Sequence, residues 1–452
     1  MLTDWLGNPI TTNDSATQKG IDDFVEGILA YETKAVNVLG VADNDPQSCL
    51  ANAYAAILHM FAESPAGPPA ALPYLEKAEN AARNATRREQ MNVAAIRAWY
   101  DDDVPKAVRI ANEIIDEFPR DLAMLKLAQT HNFNLGNAPG MLVLAEKAEA
   151  SASDICYMHG MSAFAFEQCH LLGEAETAAR HAIDMKHKEP WAQHALAHVM
   201  ITQGRIEEGR LFLEDASRTW TDLNSFMVTH NWWHLALNYI SLGRFDQALS
   251  TYDNEVWGVW KEYSQDQINA VSLLLRMELA GVDVADRWQD VGDYLKLRTG
   301  DFIQPFLTMH YIYGLARAGL DEADTLHENL LQFSAPDYVQ AAWQEVALPA
   351  CEGLLAHARG NFDQAVENLS RAIGRLSEIG GSHAQRDLFE QVLLDATIKT
   401  GNYALAQQKL EMRRSFEPDS VPTNLALAAV YEKLGLPREA EKARARLGAV
   451  CM

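Results

Sequence analysis

Long apolar runs are missing from this 452-residue chain. No stretch approaches the roughly 20 consecutive apolar residues that cross a bilayer. Positive charge is also in short supply. With 38 Lys and Arg against 62 Asp and Glu, the net charge is −24, which repels nucleic-acid phosphates and anionic lipid headgroups alike. Neither a nucleic acid nor a membrane surface is therefore expected as a partner. The five cysteines, Cys49, Cys156, Cys169, Cys351 and Cys451, are odd in number and scattered. They lack the close pairing of a disulfide framework or a zinc ribbon, which predicts a reducing, cytoplasmic setting. The first 23 residues carry Asp4, Asp14, Asp22 and Asp23 and no apolar segment, so they read as neither signal nor transit peptide. Also absent are a Gly-Lys-Ser phosphate loop, a Gly-x-Gly-x-x-Gly turn, a Gly-x-Ser-x-Gly elbow and a His-Glu-x-x-His helix. No segment shows the alternation of a strand.

What is present is helix after helix. Apolar residues recur at helical spacing, with Pro and Gly between segments rather than inside them, and the 48% hydrophobic content suffices for an extended core. Residues 230–255 display a repeat unit. Trp232, Leu235, Ala236, Tyr239, Gly243, Ala248 and Tyr252 occupy the large, apolar, small, aromatic, glycine, small and aromatic positions of a tetratricopeptide repeat. Small residues let two helices approach, large ones fill between them, and glycine ends the first helix in a left-handed conformation.

The glycine recurs at Gly136, Gly173, Gly204, Gly243, Gly281, Gly319, Gly360, Gly401 and Gly435, at spacings of 31 to 41 residues, with Asp102 in its place one unit earlier. Five residues on, the small position recurs at Ala107, Ala178, Gly209, Ala248, Ala365, Ala406 and Ala440. A closing proline follows at Pro119, Pro190, Pro336 and Pro418. The expected fold is an all-α tetratricopeptide-type α-solenoid, a right-handed superhelix of about ten or eleven helix pairs forming one domain over residues 1–452. Residues 1–85 read as atypical capping helices, with a pair at Cys49 to Glu63 and Ala70 to Asn84 separated by the stretch Pro65 to Pro73. Residues 86–452 read as the repeat array, closed by the pair Pro422 to Leu447 with its charged KARAR segment.

Several segments are more specific than the generic repeat: TDWLGNPI, ANAYAAILHMF, FPRDLAMLKLAQ, GMSAFAFEQC, EPWAQHALAHVM, HNWWHLAL and GGSHAQRDLFEQ. Through them the chain resembles, over essentially its full length, the tetratricopeptide repeat protein 38 family. The bacterial members of that family include StaR-like accessory proteins of glycopeptide-antibiotic gene clusters. The resemblance implies the helical-repeat fold and an enzymatic, flavin-linked activity that has been proposed for the family. The chain departs from the family pattern at Asn92 and Gln129, where histidines are expected.

The first helix of each pair lines the concave face, so its residues can be placed by counting back from the glycine. His194 and His198 lie 10 and 6 before Gly204, and His230 and His234 lie 13 and 9 before Gly243. Those offsets form one stripe of a helix. By the same count Glu167, 6 before Gly173, and Lys126, 10 before Gly136, join it. Neutral imidazoles with a carboxylate suit a divalent metal such as zinc, iron or manganese, so Glu167, His194, His198, His230 and His234 are the candidate ligands. Trp191 and Trp233 share the stripe and could stack on a planar ligand, whereas Trp232 occupies the packing position. In Gly380 to Asp387, Ser382 with Gln385 has the spacing of a helix-capping box. Alternatively, His383, Gln385 and Arg386 at that helix start hold a ligand carboxylate or phosphate. The segment meets the histidine stripe only if the superhelix curls back.

Two functions follow. One is a binding module holding a small molecule or peptide in its concave pocket, as a monomer or homodimer. The other is a metal-dependent or flavin-linked enzyme acting on a small molecule at the inner helices. An inner face of His, Glu and Trp, rather than of Lys, Arg and Asn, favours a pocket over an open peptide groove.

Overall fold

The computed structural model describes residues 1–450; Cys451 lies outside the described residues. The chain is an all-α tetratricopeptide-type solenoid whose elements run helix after helix from Ser15–Ala30 to Pro437–Val450. One short hairpin, Leu2–Thr3 against Pro9–Ile10, is the strand structure among the described residues. Two compact units are distinguishable. The first comprises Met1–Leu196 with Thr219–Met227, and the second Ala197–Arg218 with the residues from Val228 on.

The repeat chemistry acts locally in both. Within the pair Ser225–Ser241 and Phe245–Thr251, Gly243 adopts φ +69°, and the Arg244 N–H returns to the Tyr239 carbonyl at 2.8 Å. This closure satisfies carbonyls that the end of the helix leaves unpaired. Eight of the nine template glycines have φ between +68° and +86°, and Asp102 takes φ +58° in their place. Five residues on, Ala248, Ala365, Ala406 and Ala440 are fully buried. A larger side chain at such a crossing costs about 1–3 kcal/mol through overpacking.

The ninth glycine corrects the sequence register. Gly173 lies inside the helix Leu172–Met185. The left-handed residue is His170, at φ +57°, and the Leu171 N–H closes the turn on the Phe166 carbonyl at 2.9 Å. Five residues after His170 stands Ala175, which is fully buried, whereas Ala178 is only half-buried. Both markers thus slip by three residues. Histidine tolerates the left-handed region better than most side chains, so the missing glycine hid the turn. Glu167 accordingly lies 3, not 6, residues before the turn, one helical step along the same face.

Two further details differ from the sequence reading. The helix expected from Ala70 begins at Gly67, with prolines in its first turn and Pro73 inside it. First-turn prolines lack only N–H groups that a helix start leaves unbonded. Trp232, expected in the core, is half-buried, and its neighbour Trp233 is the fully buried ring.

In the first unit, the TDWLGNPI segment is anchored by charge. Arg88 donates to Asp121 at 2.8 Å and to Asp4 at 3.2 Å, with all three side chains at most 2% exposed. Asn92 donates to the same Asp121 carboxylate at 3.1 Å. Burial raises the Asp4 carboxyl from its ordinary value, against the pull of Arg88.

The second unit curls back on itself. His383 and Thr202 form a hydrogen bond at 2.8 Å across 181 residues of sequence. Gly204 packs so tightly on the backbone of the Tyr403–Phe416 helix end that a Cβ there would stand 2.2 Å from the Phe416 carbonyl oxygen.

Candidate functional site

In the second unit three histidines converge. His198 comes from the helix Pro190–Thr202, and His230 and His234 lie one turn apart on Ser225–Ser241. All three are buried. The His198 and His234 rings are 4.5 Å apart, and those of His230 and His234 are 4.8 Å apart, between centroids. One ring nitrogen from each lies within 4.8 Å of the others. His230 Nδ1 is 3.0 Å from Asn269 Oδ1, and Asn269 is itself oriented by Thr229, which donates to Asp266. Burial pushes the His230 imidazole down to about 3 and the His234 imidazole well below its ordinary value, so both are neutral near pH 7. Trp233, fully buried, stacks on His230 at 5.2 Å and receives the Arg276 guanidinium at 5.7 Å.

The curl brings the Gly380 to Asp387 segment to this cluster. The His383 ring is 5.4 Å from that of His198. The capping box forms as its spacing predicts: Ser382 Oγ accepts from the Gln385 N–H at 3.2 Å, and Gln385 Oε1 accepts from the Ser382 N–H at 2.8 Å. That oxygen of Gln385 is therefore engaged in holding the helix start. Arg386 donates to the Gly381 carbonyl.

Beside His383 opens a cavity of about 660 Å³. Its wall is apolar at Leu237, Ile240, Leu279 and Leu394, and carries the carboxylates of Asp387, Glu390, Asp395 and Glu417 beside the guanidinium groups of Arg276, Arg386 and Arg413. Arg413 grips Asp387 with bonds of 2.5 and 2.9 Å. Burial would raise the Asp387 carboxyl, but Arg413 and Arg276 together hold it below the carboxylate range. Arg276 donates to the Ala384 carbonyl at 2.6 Å, and burial brings its guanidinium down to about 10. Its Nε is buried with no hydrogen-bond partner. Arg276 and Asp387 were not singled out from sequence, although a lone cation in the apolar run SLLLRMEL was a legible signal of a buried charge.

The other expected residues belong to the first unit. Lys126, 4% exposed, holds its ammonium 3.8 Å from the Trp191 ring centroid and 4.4 Å from that of Tyr31. Burial brings this lysine down to about 7, against the attraction of Glu189. Glu189, fully buried, is pushed up to about 7 by the same loss of water, with the Ala192 N–H and Lys126 opposing. Glu189 too went unremarked in the sequence, where it reads as a helix-start residue. Trp191 stacks on His194 at 4.6 Å, and His194 tilts against Phe164 at 5.3 Å. Glu167 is fully buried and accepts from Gln168 at 2.5 Å.

No family model matches the chain. Among solved structures similar to it is the human IFIT1 dimer with PPP-AAAA, at 13% identity and TM-score 0.41, covering 97% of this chain and 96% of that one. The structure of Naa15/Naa10 bound to HypK-THB matches at 14% identity and TM-score 0.26, covering 96% and 68%. The APC/C hetero-tetramer Cut9-Hcn1 matches at 11% identity and TM-score 0.31, covering 96% and 86%. Among the described residues no helix is long and apolar enough to cross a membrane.

Proposed function

We propose that this helical-repeat protein binds a small organic molecule in the cavity of its second unit, an apolar body carrying a carboxylate or similar anion that Arg276 receives. The observation that carries this reading is the buried guanidinium of Arg276 in the cavity wall. A ligand anion brought against that guanidinium would be held through charge-assisted bonds. The volume of about 660 Å³ falls within the roughly 300–1,000 Å³ of small-molecule pockets. The mixed wall, apolar with a few convergent charges, supports a compact ligand over an extended peptide. The same proposal takes residues 86–452 as one repeat array capped by residues 1–85, the organisation implied by the motif resemblance to the tetratricopeptide repeat protein 38 family. A metal-dependent reaction on the ligand is favoured by one observation, that His383 stands both in the cavity wall and against His198.

The test is thermal unfolding with a panel of aryl- and alkyl-carboxylates set against their methyl esters. Some acids are expected to raise the midpoint while their esters do not, and Arg276→Gln is expected to abolish the response. A panel without effect, or an Arg276→Gln protein that responds like the wild type, overturns the proposal.

A further inference from the structure

We infer that the second unit binds one zinc ion between His198, His230 and His234. Three imidazole nitrogens, one from each residue, lie within 4.8 Å of one another. Nitrogens bound to tetrahedral zinc at about 2.0–2.1 Å stand roughly 3.3–3.4 Å apart. Shifts of about an ångström at the ring tips, within the reach of χ1 and χ2, close the set around an ion. The two helices divide the work: an i, i+4 pair on Ser225–Ser241 supplies two rings on one face, and Pro190–Thr202 supplies the third.

The surroundings of His230 fix its tautomer. Asn269 Nδ2 donates to Thr229 at 3.3 Å, so Asn269 turns its oxygen to His230 Nδ1 at 3.0 Å. The ring proton therefore sits on Nδ1 and the lone pair on Nε2. This is the outer partner that metal-bound histidines commonly have, holding the ring and raising its basicity.

Three nitrogen donors select zinc over the harder manganese, and a three-histidine set is the composition of zinc sites that keep a position open. His383 has a nitrogen within 4.8 Å of one on His198 and also lines the cavity, so it stands between the histidine cluster and the cavity. Packing alone would be met by apolar rings of the same size. Three nitrogens grouped within 4.8 Å of one another meet the need of a metal.

The test uses full-length protein without a histidine tag, stripped with chelator and then titrated with Zn²⁺ and, separately, Co²⁺. After dialysis one zinc per chain is expected to remain. Cobalt is expected to show the visible absorption of a four-coordinate site, and zinc to abolish it. His230→Gln/His234→Gln should lose both signals, with the helical circular-dichroism spectrum kept, whereas His187→Ala, at an exposed histidine, should keep both. Wild-type protein that retains neither metal stoichiometrically overturns the inference without recourse to any variant, as does a folded double variant with wild-type stoichiometry. Zinc retained by a protein whose cavity takes no carboxylate would leave this inference standing and remove only the ligand proposal.

Discussion

His383 Nε2 and Thr202 Oγ1 meet at 2.8 Å although 181 residues separate them. The bond ties the start of the second unit to its sixth helix pair, and it does so beside the histidine cluster. Thr202→Val keeps the shape and removes the hydroxyl, so a loss of about 1 kcal/mol is expected. Urea denaturation followed by circular dichroism would check it, and an unchanged midpoint would show that the closure rests on packing alone.

Gly204 makes the same closure at the backbone. Its φ of +69° and a would-be Cβ at 2.2 Å from the Phe416 carbonyl oxygen leave no room for a side chain. Gly204→Ala is expected to cost more than about 1 kcal/mol. Gly173, in contrast, lies within a helix with nothing near its would-be Cβ. Gly173→Ala should be neutral or stabilising by up to about 1 kcal/mol. Comparing the two unfolding midpoints checks the corrected register directly.

The buried charges of Arg88, Asp4 and Asp121 couple the N-terminal hairpin to the following helices of the first unit. Arg88→Met would leave two buried carboxylates without their cation, an expected loss of about 3–5 kcal/mol. Chemical denaturation measures it, and a loss below 1 kcal/mol would mean that the hairpin detaches freely.

Lys126 and Glu189 predict opposite slopes of stability with pH. The Glu189 carboxyl, raised from 4.5 to about 7 in the fold, binds more protons folded than unfolded between those values. Its contribution is present below pH 4.5 and lost as pH rises toward 7. Lys126, lowered from 10.5 to about 7, contributes stability that is present above pH 10.5 and lost as pH falls toward 7. Glu189→Gln should flatten the acid limb and Lys126→Met the alkaline limb. Unfolding midpoints measured from pH 4.5 to 10.5 on the three proteins decide it.

Much of the fold was legible because the repeat is a local device. Glycine at the turn and alanine five residues on act within one helix pair, so their periodicity survives in one dimension. Where His170 replaces the glycine, the periodicity misled by three residues. The stripe at His198, His230 and His234 was legible for the same reason, since helical spacing alone puts side chains on one face. Arg276 and Asp387 were not legible as a site, because their meaning comes from the cavity they share.

The amino-acid sequence by itself therefore determined the helices, their pairing and the histidine face, all of which follow from short-range periodicity and turn chemistry. Only the tertiary structure decided that Gly380 to Asp387 reaches Thr202 and His198, and that Arg276 is buried at the wall of a cavity. The closure of the second unit accumulates small rotations from pair to pair. No residue encodes that sum, and contacts between residues nearly two hundred positions apart exist only once it is complete.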